Sequence, residues 1–203
     1  MALDEGIRSR KRDWIRGQVL DAAWELARRD GIAGLSLREL AAAVGMRAPS
    51  LYHYFPSKEA LYDAMYAQGM RQLADSIQSS PPGSNARETL RNRARTFVTA
   101  AAEDPTRFEL LFHRPIPGFV PSSEHLAIGL TNLATTRQMA ATAGLRSDRA
   151  FDLFMAVTHG LVAMQIANEP GGDRWIRLVD EAVDLLVGEH ASGHGRARRA
   201  APR

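Results

Sequence analysis

Between Ser36 and Lys58 the chain reads SLRELAAAVGMRAPSLYHYFPSK, and its hydrogen-bonding side chains fall where a short helix would present them together. Arg47, Ser50, Tyr52, His53 and Tyr54, with Ala48 and Pro49 among them, follow Gly45, while Leu51 and Phe55 stand four apart to face inward. A guanidinium, hydroxyls and an imidazole on an exposed helix are groups that read base edges in a duplex major groove or hold its phosphates. Covalent chemistry is poorly served by comparison. The chain contains no cysteine and no Gly-x-Ser-x-Gly, P-loop or Gly-x-Gly-x-x-Gly run. Asp152 and His159 are two helical turns apart, and His190 and His194 one turn apart, yet neither pair belongs to a metal-ligand spacing such as His-Glu-x-x-His. No catalytic residue, metal or cofactor is expected.

The elements that must position these residues are legible in turn. Ser36 and Glu39 form a Ser-x-x-Glu capping box that starts a helix, and Leu37, Leu40, Ala41 and Val44 give it one apolar stripe. Gly45 takes the positive φ that ends it, and Pro49 fits the first turn of a second helix. Ahead of this pair, Ile15, Val19, Ala22, Ala23, Leu26 and Ala27 predict a helix over 12–30, closed by Gly31 and Gly34. Behind it, Ser57 caps a long helix carried by Leu61, Met65, Met70, Leu73 and Ile77 to about Gln78. Two short helices around a tight turn, braced by a third, are the physical signature of a major-groove reader. The bland alternative is the same motif used only for packing.

The stretch from Ile15 to Lys58 resembles the DNA-binding domain of the TetR/AcrR family of bacterial transcriptional regulators, and LYHYFPSKEAL (Leu51 to Leu61) is close to that family's most recognisable run. The resemblance implies that Arg38 reaches a guanine edge or a phosphate, that Ala48, Pro49, Ser50 and Tyr52 line the groove, and that His53, Tyr54 and Lys58 hold phosphates, with Arg47 flanking that face. The competing expectation for Tyr54 is a ring packed in the head with only its hydroxyl exposed.

The rest of the chain is again helical. Predicted helices cover 85–103, a short segment from Asp104-Pro105, 124–143, 147–168 and 175–187, separated by SSPPGS, the proline-rich HRPIPGFVPSS, Gly144 and EPGGD. The expected fold is all-α, with about nine helices. Domains are expected as a flexible basic N-terminal arm over 1–11, a three-helix head over 12–58, a body of about six helices over 59–190, and a disordered basic tail over 191–203. Phe97, Phe108, Phe112, Met139, Met155 and Met164, with His113 and His159 as polar points, are candidates for a small-molecule pocket and equally for ordinary core. FELLFHRPIPGF and VTHGLVAMQIAN are similar to the ligand-binding subclass of the family that carries a His-Gly pair, here His159-Gly160. Met155 stands where that subclass often has tryptophan, which puts inherited pocket shape in doubt.

One small head should bind DNA weakly, so two copies about one turn of B-DNA apart (roughly 34–36 Å) and a near-palindromic operator are expected. Phe151, Phe154, Leu161, Trp175, Val179, Val183 and Leu186, on the last two helices, are the candidate homodimer interface. The resemblance implies a repressor released by a small apolar or amphipathic effector; the alternatives are a ligand-independent architectural DNA-binding protein or a helical enzyme.

Bulk numbers narrow the classes. Hydrophobic residues make up 45% of 203, enough for a core, and no apolar run approaches the ~18 residues of a membrane span. MALDEGIRSRKRDW lacks the apolar centre of a signal peptide, so a cytoplasmic protein with no membrane partner is expected. The net charge of +3 owes much to the last thirteen residues, which carry four arginines and no acid. A second cluster, Arg8, Arg10, Lys11, Arg12 and Arg16, reads either as a solvated end or as an arm for phosphates.

Overall fold

The computed structural model describes residues 2–199, with side chains at residue 6 and from 8 to 189. Among the described residues the fold is all-α, as expected: α1 (Ala2–Asp30), α2 (Leu37–Ala43), α3 (Ala48–Tyr54), α4 (Lys58–Gln78), α5 (Ala86–Glu103), α6 (Pro105–Phe112), α7 (Ser123–Thr142), α8 (Asp148–Asn168) and α9 (Val179–Arg199), with a 3-10 turn at Ile176–Leu178. The helices form two compact units, and α4 is continuous through the boundary between them.

The first unit runs through Gly69 and includes Thr106–Ala127. Trp24, Leu35, Leu40, Leu51, Phe55, Leu61 and Met65 fill its centre, and Leu110 of α6 joins them. Its domain bounds therefore differ from 12–58. Apolar residues far along the chain complete this core: Ile116 and Phe119 pack against it, and Phe119 meets Tyr62 edge-on at 5.7 Å. The Arg107 guanidinium lies 4.8 Å from the Trp24 ring centre, and Trp24 Nε1 donates to Gln68 at 2.7 Å. A Cβ at Gly69 would stand 3.0 Å from a Leu111 methyl, so a larger residue there needs that side chain to give by a few tenths of an ångström. Asp63 accepts from the Ser122 N–H at 2.8 Å and pairs with His125 at 2.9 Å, which ties the start of α7 to α4.

In the second unit α5 packs along α8 and α9. Leu90, Ala94, Val98 and Ala101 form its buried stripe, and Arg91 pairs with Asp184 at 2.6 Å beside an Arg95–Asp180 pair. Gln165, 1% exposed, is satisfied on both sides: its amide N–H donates to the Glu169 carbonyl and its oxygen accepts from Trp175 N–H at 2.9 Å. A buried amide of this kind must be fully paired, because an orphaned group costs about 1–3 kcal/mol.

Three expectations are corrected. Residues 2–11 are not an arm but the first turns of α1. They include Ala2, Leu3, Glu5, Arg8, Arg10 and Lys11, all good helix formers, and Arg10 donates to the Gly6 carbonyl one turn back. Most of the expected tail is likewise helical, since α9 extends to Arg199; once nucleated on its packed turns a helix adds one bond per residue, and no proline intervenes before Pro202. Residues 200–203 of that tail lie outside the described residues. Finally, α8 is long and apolar enough by composition to cross a membrane, although a third of its hydropathic window is buried in the second unit. Asp152, His159 and Gln165 interrupt its apolar run, so no unbroken stretch of the sequence is as long as a span.

Candidate nucleic-acid interface

The expected helix pair forms, with one difference. Ser36 caps α2 by accepting from the Glu39 N–H, but the reciprocal half of the capping box does not close, because the Glu39 carboxylate turns toward Arg29 at 4.0 Å. At the other end Gly45 sits at φ 67°, its N–H bonded to the Ala42 carbonyl at 3.1 Å, while the Met46 N–H bonds to Ala41 at 2.8 Å. These two bonds close α2 in a Schellman turn, and the left-handed residue turns the chain sharply into α3. Pro49 occupies the first turn of α3, and Leu51 and Phe55, each 1% exposed, anchor that helix in the head.

With Leu51 and Phe55 inward, the opposite face of α3 is left to solvent. Arg38, Arg47, Pro49, Ser50, Tyr52 and His53 are all exposed. Tyr52 keeps 48% of its surface, far more than a tyrosine needs for packing. Arg38, Tyr52 and Lys58 come together around an open groove of ≈ 660 Å³ formed by the start of α2 and the α3–α4 turn. Two cations and a phenol lining one groove suit a phosphate and its neighbouring base edge.

Three of the residues are placed differently from a bare contact surface. Ala48 is half-buried and packs against the head core. The half-buried Tyr54 ring packs there too, meeting His53 edge-on at 5.8 Å. Lys58 donates to the Ala33 carbonyl at 2.9 Å and lies 5.5 Å from the Tyr62 ring centre, so it also closes the loop before α2. An ammonium carries three donors, so this bond leaves Lys58 capacity for an anion.

One residue escaped the sequence reading as a positioning group. Arg16 donates from its guanidinium to the Tyr54 carbonyl at 2.7 Å and stacks 4.6 Å from the Phe55 ring centre. It fixes the end of α3 onto α1. Its place next to Ile15 on α1 was visible, but nothing in the spacing announces a bond across 38 residues.

The candidate pocket residues divide between the units. Phe108, Phe112 and His113 lie in the first, where Phe108 is buried and touches Phe112 at 5.2 Å and His113 at 4.8 Å between ring centres. Phe97, Met139, Met155, His159 and Met164 lie in the second, where Phe97 and His159 are 5.1 Å apart and Met139 meets Arg93. Met164 departs from the expectation, being exposed on the outer face of α8 with Asn168 beside it.

The candidate dimer residues differ in how far the chain itself buries them. Phe151, Phe154, Val179 and Val183 are buried within the chain, while Leu161, Trp175 and Leu186 are half-buried. Exposed residues nearby are Leu153, Ala156, Gly160 and Met164 on α8, Leu178 in the 3-10 turn and Leu185 on α9. An apolar stripe wider than one neighbour can cover hides its true outer edge from sequence inspection.

Comparison with known proteins agrees with this geometry. Residues 19–65 match the family model described as bacterial regulatory proteins, tetR family. The HTH-type transcriptional repressor Rv1353c of Mycobacterium tuberculosis is 30% identical over 140 residues, which is 69% of this chain and 52% of that protein. The tetracycline repressor protein class D of Escherichia coli is 37% identical over 85 residues, 42% of this chain and 38% of that protein. The crystal structure of a TetR family transcription regulator from Marinobacter aquaeolei VT8 superposes with a TM-score of 0.69 at 23% identity, over 88% of this chain and 97% of that one, which shows a shared fold. The chain spans about half the length of the mycobacterial repressor (52%). Helix pair, exposed α3 face and family match together define a helix-turn-helix protein. Its helix-turn-helix region, residues 19–65, belongs to the TetR family of bacterial regulators.

Proposed function

We propose that the chain is a sequence-specific DNA-binding transcriptional regulator, acting as a homodimeric repressor on a near-palindromic operator and released by a small apolar or amphipathic effector. The observation that carries this reading is the α3 face. Leu51 and Phe55 lock the helix in place, and Arg38, Ser50, Tyr52 and His53 are held outward beside the groove that Lys58 closes. Phosphate contacts from Arg38 and Lys58 set the register, and Ser50, Pro49 and Tyr52 discriminate bases. A cytoplasmic location accompanies a chromosomal partner.

The dimer is proposed through the uncovered stripe of α8 and α9. Gly160 has nothing within 4 Å of where a Cβ would stand, so a second helix can approach it closely. Effector release requires that the compound bind the DNA-incompetent form more tightly by the coupling free energy. Phe97, Met155 and His159 in the second unit are the proposed lining, and α4 is the covalent path to the head.

The experiment is selection of duplexes from a random pool, followed by band shifts with Arg38→Ala and Tyr52→Ala. Each variant should lose about fivefold to 150-fold in affinity, about 1–3 kcal/mol, while remaining folded and dimeric. Unchanged shifts on the selected duplex refute the reading. Binding of selected and random duplex with equal affinity identifies an architectural protein instead.

A further inference from the structure

The second unit holds an arginine that the chain itself does not neutralise. On α5, Arg91 meets Asp184 of α9 at 2.6 Å and Arg95 pairs with Asp180 of the same helix. Arg93 leaves α5 on another side. It is half-buried, and its guanidinium donates to the Met139 sulfur of α7. A thioether is a weak acceptor, whereas a guanidinium carries five N–H donors and keeps its charge in proteins. Among the described residues no carboxylate pairs with Arg93. The one acid on α7, Glu124, stands about 22 Å back along the axis from Met139, at 1.5 Å per residue. Taking a cation partly out of water without a counter-charge costs stability, so packing alone gives no reason for arginine here. Its neighbours suit a bound molecule. Phe97 stands one turn after Arg93, and its ring centre is 5.1 Å from that of His159 on α8. Three helices of one unit thus bring together a fixed cation, a thioether, an aromatic ring and an imidazole.

We infer that the second unit binds an amphipathic carboxylate, with Arg93 gripping the head group and Phe97 and Met139 flanking the apolar chain. The inference rests on the effector reading above, which leaves the charge of the compound open, and deepens it by fixing that charge as negative. The planar guanidinium fork matches a carboxylate through two parallel charge-assisted bonds. The arriving anion displaces the Met139 sulfur, and the unbranched methionine side chain turns to line the apolar part of the ligand. A neutral amphiphile meets the same apolar groups but leaves the cation unmatched, and a cationic one is repelled by it.

The test uses the full chain with decanoate, decanol and decyltrimethylammonium, which share an apolar chain and differ in the charge of the head. Melting temperature and affinity for the selected duplex are measured with each compound. Decanoate should raise the melting temperature and weaken duplex binding at lower concentration than the other two. Arg93→Met keeps the stem and removes the charge, and should abolish the preference for decanoate over decanol, a loss of about tenfold to 150-fold. Arg93→Lys keeps the charge without the fork and should retain part of the preference. Without any ligand, R93M should melt no lower than the wild type, because it removes a charge that the folded chain leaves unmatched; a structural arginine would behave in the opposite way. R95M removes an arginine that Asp180 already satisfies and should keep the full preference. Equal potency of the three heads, an undiminished preference in R93M, or an equal loss in R95M overturns the carboxylate inference while the effector reading stands. Failure of all three compounds to shift melting temperature or duplex affinity removes both.

Discussion

The Arg16 guanidinium and the Tyr54 backbone carbonyl are 2.7 Å apart, and the same guanidinium lies 4.6 Å from the Phe55 ring centre. The bond lands on the last residue of α3, where a helix leaves carbonyls without partners of its own, and the cation opposes the negative end of that helix. Arg16→Met keeps the alkyl packing and removes both interactions. It should destabilise the protein by about 1–2 kcal/mol in urea unfolding and weaken operator binding, because α3 loses its brace. Arg16→Lys should recover only part of the loss, since an ammonium cannot both stack and donate in this geometry.

Gly45 makes the turn between α2 and α3 at φ 67°. Nothing lies within 4 Å of where a Cβ would stand, so a substitution there meets backbone strain and not a clash. Gly45→Ala should cost about 1–2 kcal/mol, read as a lower urea midpoint with an unchanged m-value. Gly45→Asn, which tolerates the left-handed region better, should cost less.

How much of this was readable beforehand follows from the range of each interaction. Local rules settled local structure: Gly45 and Pro49 bounded α2 and α3, Asn85 and Ser147 cap α5 and α8 by accepting from N–H groups three residues on, and the all-α fold followed from unbroken helical periodicity. Contacts between distant residues left no such trace. Leu110 in the head core, Arg16 on Tyr54 and Asp63 on Ser122 each join segments dozens of residues apart. Burial along α8 was hidden for a related reason. Phe151 and Leu153 are both large and apolar, and only packing against other helices decides that the first is buried and the second exposed.

The uncovered stripe gives a prediction for assembly. Leu153 and Leu185 are 40% and 66% exposed, so arginine at either position meets water in a monomer and a desolvation penalty only in a dimer. L153R/L185R should sediment as a monomer with native helicity, whereas the wild type sediments as a dimer. Retention of the dimer by the double variant places the interface elsewhere.

The start of α5 carries a pH dependence. The Ser84 hydroxyl and N–H both donate to the Glu88 carboxylate, at 2.5 and 2.7 Å, and hold it below its ordinary value. A depressed folded value means that this contribution is present above the unfolded value and is lost as pH falls through the folded one. Carboxyl resonances followed by NMR should place the Glu88 midpoint below that of an exposed glutamate, and Ser84→Ala should raise it. An unshifted Glu88 midpoint in the wild type contradicts the assigned contacts.

The central claim is that α3, fixed by Leu51, Phe55 and Arg16, is presented in duplicate to one face of a duplex. It is tested most directly by selecting bound sequences from a random duplex pool and mapping the protection on the winner. The account predicts two inverted half-sites centred about one helical turn apart, roughly 34–36 Å or a multiple of it, each protected by one chain of a dimer. A pool that fails to enrich, or a single asymmetric site occupied by one chain, would contradict it.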